Sequence, residues 1–163
     1  MNKKVRFLTH SAVLAAVYVT LTHLQNILFP NSTTMAIQFR LSEALCVLAF
    51  FTPAAIPGLS LGCLLFNLTS GAALPLDFLV GTAATALSTW LMWLTRKITL
   101  KGWPLPGLLM PALFNAFLVG WELSVYIGGG FPFNALCVAL GEIAVLLLPG
   151  SALFYAIKKR GLF

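Results

Sequence analysis

Residues Gln38–Asn67 read QFRLSEALCVLAFFTPAAIPGLSLGCLLFN. Arg40 and Glu43 stand at the head of this stretch, Pro53, Pro57 and Gly58 interrupt its middle, and Asn67 closes it. A proline inside a helix removes a hydrogen bond and collides with the preceding turn, so the stretch is too interrupted to be one helix. Its apolar halves, Leu41–Phe51 and Leu59–Leu68, are each shorter than the roughly 20 residues of a perpendicular bilayer crossing. Whether it crosses once or twice fixes the side on which every later loop lies.

The basic residues decide between these. With two crossings, Lys3, Lys4 and Arg6, then Arg96, Lys97 and Lys101, then Lys158, Lys159 and Arg160 share one side, and only Arg40 lies opposite. One crossing would leave three basic residues with the N-terminus and seven across the membrane, against the positive-inside bias. The turn Thr52–Gly58 is therefore expected to be a reversal, and charge parity leaves its depth in the membrane open.

Composition requires the membrane in the first place. With 60% hydrophobic and 9% charged residues in 163, the apolar side chains exceed what one soluble core can enclose. The net charge of +6 sits in short groups between apolar spans, the placement of cytoplasmic anchors rather than of a nucleic-acid surface. Cys46, Cys63 and Cys137 lie inside apolar spans with no disulfide or metal-ligand spacing, and read as small buried hydrophobes.

Taken in order, Phe7–Phe29 is too long for a signal sequence, whose apolar region runs about 7–15 residues, and is expected to be the first span. Ala12, Ala15 and Ala16 give it small residues that allow close approach of another helix, from this protein or from a partner. Gln25–Arg40 is a long polar connection of the kind used as a binding loop or a plain surface crossing. Leu76–Leu94, Leu105–Ile127 and Phe133–Ile157 are further spans, with Gly128–Gly130 as an outer turn and Trp90, Trp93 and Trp103 at the inner interface. The expected fold is a single all-α integral membrane domain over 1–163. It has six transmembrane helices with both termini cytoplasmic, the second and third short and joined by a Pro-rich turn.

All four acidic residues, Glu43, Asp77, Glu122 and Glu142, fall in the outer half of this scheme. A carboxylate within a span costs a few kcal/mol and so marks a cavity or partner by default. Asp77 sits at the interface, where capping the next helix is the simpler role. Asn115 and Glu122 are seven residues apart, hence on one helix face about 10 Å apart, and Glu142 lies at a depth between them. An acid, an amide and a second acid can converge there on an outward-opening pocket, or bond helix to helix. Trp121, Tyr126, Phe131 and Phe133 are placed near the mouth of that pocket for stacking. Arg40 is left three options: pairing with Glu43, pairing with Glu122, or snorkelling to the interface.

No Gly-rich loop followed by Lys-Ser or Lys-Thr is present for ATP, and no serine or cysteine has an evident base. The expectation is therefore no catalytic residue, no cofactor and no metal.

Gln38–Leu45, Phe51–Gly58, Asn115 with Gly120 and Glu122, and Gly141-Glu142 resemble the QueT family over nearly the whole chain. Its members are substrate-binding components of energy-coupling-factor transporters, thought to take up queuosine precursors. The resemblance implies a multi-pass protein of the bacterial cell membrane that binds substrate from outside, with the first loop as part of a lid. It also implies docking on a membrane coupling subunit driven by two ATPase subunits, which spend the ATP. An Ala-xxx-Ala pattern on the first helix faces the coupling subunit in that family type. Here it matches Ala12 and Ala16, with Ala15 beside them.

The guanine-like edge of a 7-deazaguanine offers adjacent N–H donors that one carboxylate can accept, and a second acid can hold an aminomethyl cation. Glu122 or Glu142 is expected at the purine edge, Asn115 at the carbonyl, Asn67, Trp121 and Phe133 as further contacts, and Glu43 with Arg40 in loop closure. Rival readings are a component for another vitamin, thiamine-like or purine-like, and an ion-coupled transporter, which usually carries inverted repeats not found here. A small membrane enzyme is the third, disfavoured by the missing nucleophile.

Overall fold

The computed structural model describes residues 2–30, 32–33, 37–71, 73–100 and 102–161. Lys101 and the loop residues 31 and 34–36 lie outside the described residues. The described residues form six helical rods. These are α1 (Lys3–Leu28), a 3-10 helix (Leu41–Phe50), α2 (Ala55–Thr69), α3 (Asp77–Thr95), α4 with α5 (Leu105–Leu108, Met110–Tyr126), and α6 continuing into α7 (Phe131–Val145, Ser151–Arg160). Four rods, Lys3–Leu28, Asp77–Thr95, Leu105–Tyr126 and Phe131–Arg160, are long and apolar enough to cross a membrane. With the shorter 3-10 helix and α2 among them, the chain is a multi-pass membrane protein.

Local chemistry sets the rod ends. Asn2 caps α1, its side-chain oxygen accepting from the Lys4 amide at 3.1 Å. Pro30 forces Phe29 out of the helical region (φ −133°, ψ 79°), so α1 stops at Leu28. Gln25 and Asn26 are thus the last helical turn rather than the start of the loop. Gly128, Gly129 and Gly130 all have positive φ (89°, 82° and 79°), which lets the chain turn directly from α5 into α6. Gly161 closes α7 in the left-handed conformation, with Lys158, Lys159 and Arg160 in the last turn where the helix dipole favours cations.

The reversal is shorter than the sequence suggests. Pro57 and Gly58 belong to the first turn of α2, where a missing amide hydrogen is harmless, so only Phe51–Ala54 turns. Before it, Leu41–Phe50 winds as a 3-10 helix, with Glu43 N–H bonded to Arg40 O and Phe51 N–H to Leu48 O, both at 3.0 Å. At about 2.0 Å per residue it reaches about 20 Å, where an α-helix of ten residues would reach about 15 Å. Eight of its ten residues are buried, from Ser42 to Phe50 with only Leu45 excepted. It is the axis of the molecule, touching α1, α2, α3, α6 and α7, while the others pack in sequence: α1 on α2, α2 on α3, α3 on α5, α5 on α6.

Small residues permit this packing, as expected where lipid supplies no hydrophobic drive between helices. Gly62 lies against Tyr18 and the Ala15 carbonyl. Ala15 is accordingly buried between α1 and α2, whereas Ala12 and Ala16 are exposed on another face. The three alanines do not form one partner surface, because Ala15 is about 100° around the helix from Ala16. The long last rod contains Pro149, which cannot donate to the carbonyl four residues back. The chain accommodates it by widening Leu146–Gly150 into a π-turn, in which the Ser151 hydroxyl donates to Leu146 O at 3.3 Å.

Aromatic contacts fix which ends lie together. Phe51 packs on Phe154 (5.2 Å between centroids), Tyr155 on Trp103 (5.8 Å), and Phe51 shares a hollow with Lys3 and Arg6. Gly107 abuts both Phe50 and Thr95, next to Arg96. The three basic groups therefore share one end of the bundle, as a double crossing by the 3-10 helix and α2 requires. The opposite end carries the first loop and the turn between α2 and α3, joined where His23 meets Thr69 at 3.0 Å.

Candidate binding site

The first loop is tied down from α1. Ser11, Ala15, Tyr18, Thr22 and Gln25 are its buried residues, spaced four, three, four and three apart, a polar stripe on one face of an apolar helix. Gln25 holds both limbs of the loop: its amide donates to Ser32 Oγ (3.0 Å) and to Phe39 O, and its oxygen accepts from Leu41 N–H (2.8 Å). Thr22 donates to Tyr18 O (2.7 Å) and shares a hydroxyl–hydroxyl hydrogen bond with Ser42 Oγ (2.8 Å), and Tyr18 donates its phenolic proton to Glu43 Oε1. From the other side Gly141 of α6 lies directly under Gln38, whose carbonyl oxygen would be 2.0 Å from any Cβ placed there. Only glycine lets α6 meet the loop backbone so closely.

These ties place Arg40 in the middle of the polar groups. Its Nε donates to Thr33 O (3.1 Å) and its guanidinium carbon lies 5.8 Å from the centroid of the Phe66 ring. Snorkelling is excluded, because Arg40 is buried. It is electrostatically linked to Glu43 and Asp77, and Glu122 and Glu142 are each linked to it in turn. One guanidinium thus lies within electrostatic range of all four carboxylates of the chain.

Each acid is held differently. Glu43 accepts from Tyr18 and, through Oε2, from the Cys46 thiol at 3.2 Å. Cys46 and Cys63 are therefore polar participants, the latter 3.6 Å from the Asn67 amide, and only Cys137 fits the plain apolar role. Asp77 does not cap the amides of α3. Its Oδ2 accepts from Leu74 N–H at 2.7 Å and braces the turn before the helix, while Asn67 donates to its carbonyl at 2.8 Å. Glu142 accepts from Asn115 at 3.0 Å, which puts the two level instead of staggered in depth. Glu122, 0% exposed, neighbours Asp77 and the backbone of Leu76.

Four buried oxygens in this cluster have no hydrogen-bond partner among the described residues: Asn67 Oδ1, Glu122 Oε1 and Oε2, and Glu142 Oε2. An unpaired buried polar group costs about 1–3 kcal/mol, so four in one place need a reason. All four are acceptors. The arrangement suits a ligand that brings donors.

The structure thus gathers Arg40, Glu43, Asn67, Asn115, Glu122 and Glu142, and adds Asp77, Tyr18 and Gln25. It does not bring in Trp121 or Phe133, which are 48% and 59% exposed. Trp121 lines an apolar surface hollow with Phe117, Leu118 and Phe131, and Tyr126 is likewise exposed. For Trp121 the physical reason is helical: a neighbour of Glu122 in sequence points about 100° away from it, while Phe133 sits in the exposed first turn of α6.

A bundle of apolar rods that encloses an acid-rich cluster with unpaired oxygens under a tethered loop is a multi-pass membrane protein with a candidate binding site among its helices. The QueT transporter family model matches residues 8–159, and the chain belongs to that family, a family of transport proteins rather than enzymes. No curated protein and no solved structure matches it.

Proposed function

We propose that the chain is the substrate-binding component of an energy-coupling-factor importer of the bacterial cell membrane, and that it captures a queuosine precursor of the 7-deazaguanine type. The observation that carries this reading is the set of four unpaired buried oxygens on Asn67, Glu122 and Glu142. A 2-amino-4-oxo-deazapurine presents adjacent ring and exocyclic N–H donors, which suit a carboxylate such as that of Glu122 in bidentate fashion. An aminomethyl substituent adds a cation, which suits a cluster of four acidic side chains and a single guanidinium. Asn115 and Asn67 supply the remaining amide contacts, and Glu43 and Arg40 tie the loop over the ligand.

With the basic end in the cytoplasm, the loop and the acid cluster beneath it lie toward the outside. Ala12 and Ala16, exposed on α1, suit a membrane coupling subunit, which in turn works with two ATPases.

Calorimetric titration of the detergent-solubilised protein with 7-aminomethyl- and 7-cyano-7-deazaguanine, with guanine and thiamine as controls, tests the substrate. Selective binding of a deazaguanine is expected, with the aminomethyl compound the tighter. Binding of thiamine alone would move the assignment to another vitamin. Ala16→Leu tests the partner: substrate affinity is expected to stay within twofold while uptake by cells is lost, and normal uptake would place the coupling surface elsewhere.

A further inference from the structure

Opposite the acid cluster, the basic end holds two adjoining hollows that binding of a deazaguanine does not explain. One, of about 340 Å³, lies between the start of α1 and the turn before α2, and is lined by Lys3, Arg6, His10, Phe7, Thr52 and Pro53 among others. The second, of about 390 Å³, shares Lys3 and Phe7 with the first and adds Lys4 and Leu8. The first gathers cationic nitrogens and a hydroxyl. The second runs onto apolar surface, where Val5 is 50% and Leu8 65% exposed.

Charge accounting makes the first hollow specific. All four acidic side chains of the chain are buried in the Arg40 cluster, so none is left to neutralise Lys3 or Arg6. Thr52 Oγ1 accepts from Ala54 N–H at 3.3 Å and keeps its own proton to donate. A bound group must therefore bring negative charge and acceptor oxygens on its polar side, and hydrocarbon on the side that adjoins Phe7 and Leu8.

We propose that these two hollows form one site for an anionic phospholipid, its phosphate held by Lys3, Arg6 and Thr52 and one acyl chain lying along Phe7 and Leu8. Juxtamembrane basic groups attract anionic headgroups, and two cations are expected to give a preference of about tenfold or more. Such a lipid would brace α1 against the turn that reverses the chain.

Native mass spectrometry of the delipidated full chain tests this, with phosphatidylglycerol, phosphatidylcholine and free glycerol phosphate as probes. The expected result is retention of one phosphatidylglycerol in about tenfold preference to phosphatidylcholine, lost in Lys3→Gln with Arg6→Gln and kept in Lys158→Gln with Lys159→Gln. Equal loss in both double variants would mean diffuse surface charge and overturn a discrete site. Competition by glycerol phosphate at the same concentration as the lipid would overturn the acyl-chain half, leaving a free-phosphate site. Absence of any preference in the wild-type protein would overturn the proposal outright.

Discussion

The two ends of this bundle treat charge in opposite ways. At the loop end one arginine and four acids are buried together and enclosed by helices. At the other end Lys3, Lys4, Arg6, Lys97, Lys158, Lys159 and Arg160 are exposed, and Arg96 stacks its guanidinium 3.7 Å from the Trp93 centroid. Exposed cations at an interface cost little, because their stems lie along apolar surface while their heads stay wet. Buried acids are a different matter, at roughly 3 kcal/mol each in an isolated span, so their concentration marks the place where stability has been given up for binding.

Arg40→Met should break the contrast most severely. It leaves four buried carboxylates without a cation, and removal of one partner from a buried charge cluster costs about 3–5 kcal/mol. The variant is expected to melt well below the wild type in detergent, and an unchanged melting temperature would show that the acids do not depend on Arg40.

Gly141→Ala acts on the same end through shape alone. A methyl group 2.0 Å from Gln38 O forces the loop off α6, and overpacking of this kind costs about 1–3 kcal/mol. Faster protease cleavage within residues 29–40 is the expected signature, and native-like resistance would mean that α6 can shift instead.

Glu122→Gln is the mildest change to the fold and the sharpest for function. It keeps the shape, replaces one unpaired acceptor by a donor, and is expected to weaken deazaguanine binding at least tenfold, or about 1.4 kcal/mol, while the melting temperature hardly moves. Unchanged affinity would remove Glu122 from the binding site.

How far this was legible depended on the kind of signal. The reversal at Pro53 was readable because charge parity depends only on counting spans. Asn115 and Glu122 were readable because a spacing of seven returns to the same helix face. The clasp by Gln25 was missed, although Ser11, Ala15, Tyr18, Thr22 and Gln25 repeat at three and four through an otherwise apolar helix, and that stripe was available as a signal. Trp121 and Phe133 were expected at the mouth of the site because they lie toward the outer ends of their helices, but depth along a helix does not say which way a side chain points, and both are exposed. The 3-10 winding of Leu41–Phe50 had no signal at all, since its residues would suit an α-helix equally and only the packing around the segment selects the longer form.

That winding has a mechanical side. Arg40 is the N-cap of the 3-10 helix, and Phe51, at its other end, is packed on Phe154 near the basic rim. Rewound as an α-helix, the same ten residues would be about 5 Å shorter, nearly the pitch of one α-helical turn. The segment is in effect a screw through the centre of the protein. Its extra length is what lets ten residues join Arg40 at the acids to Phe51 at the rim, so the winding sets the distance between the two ends.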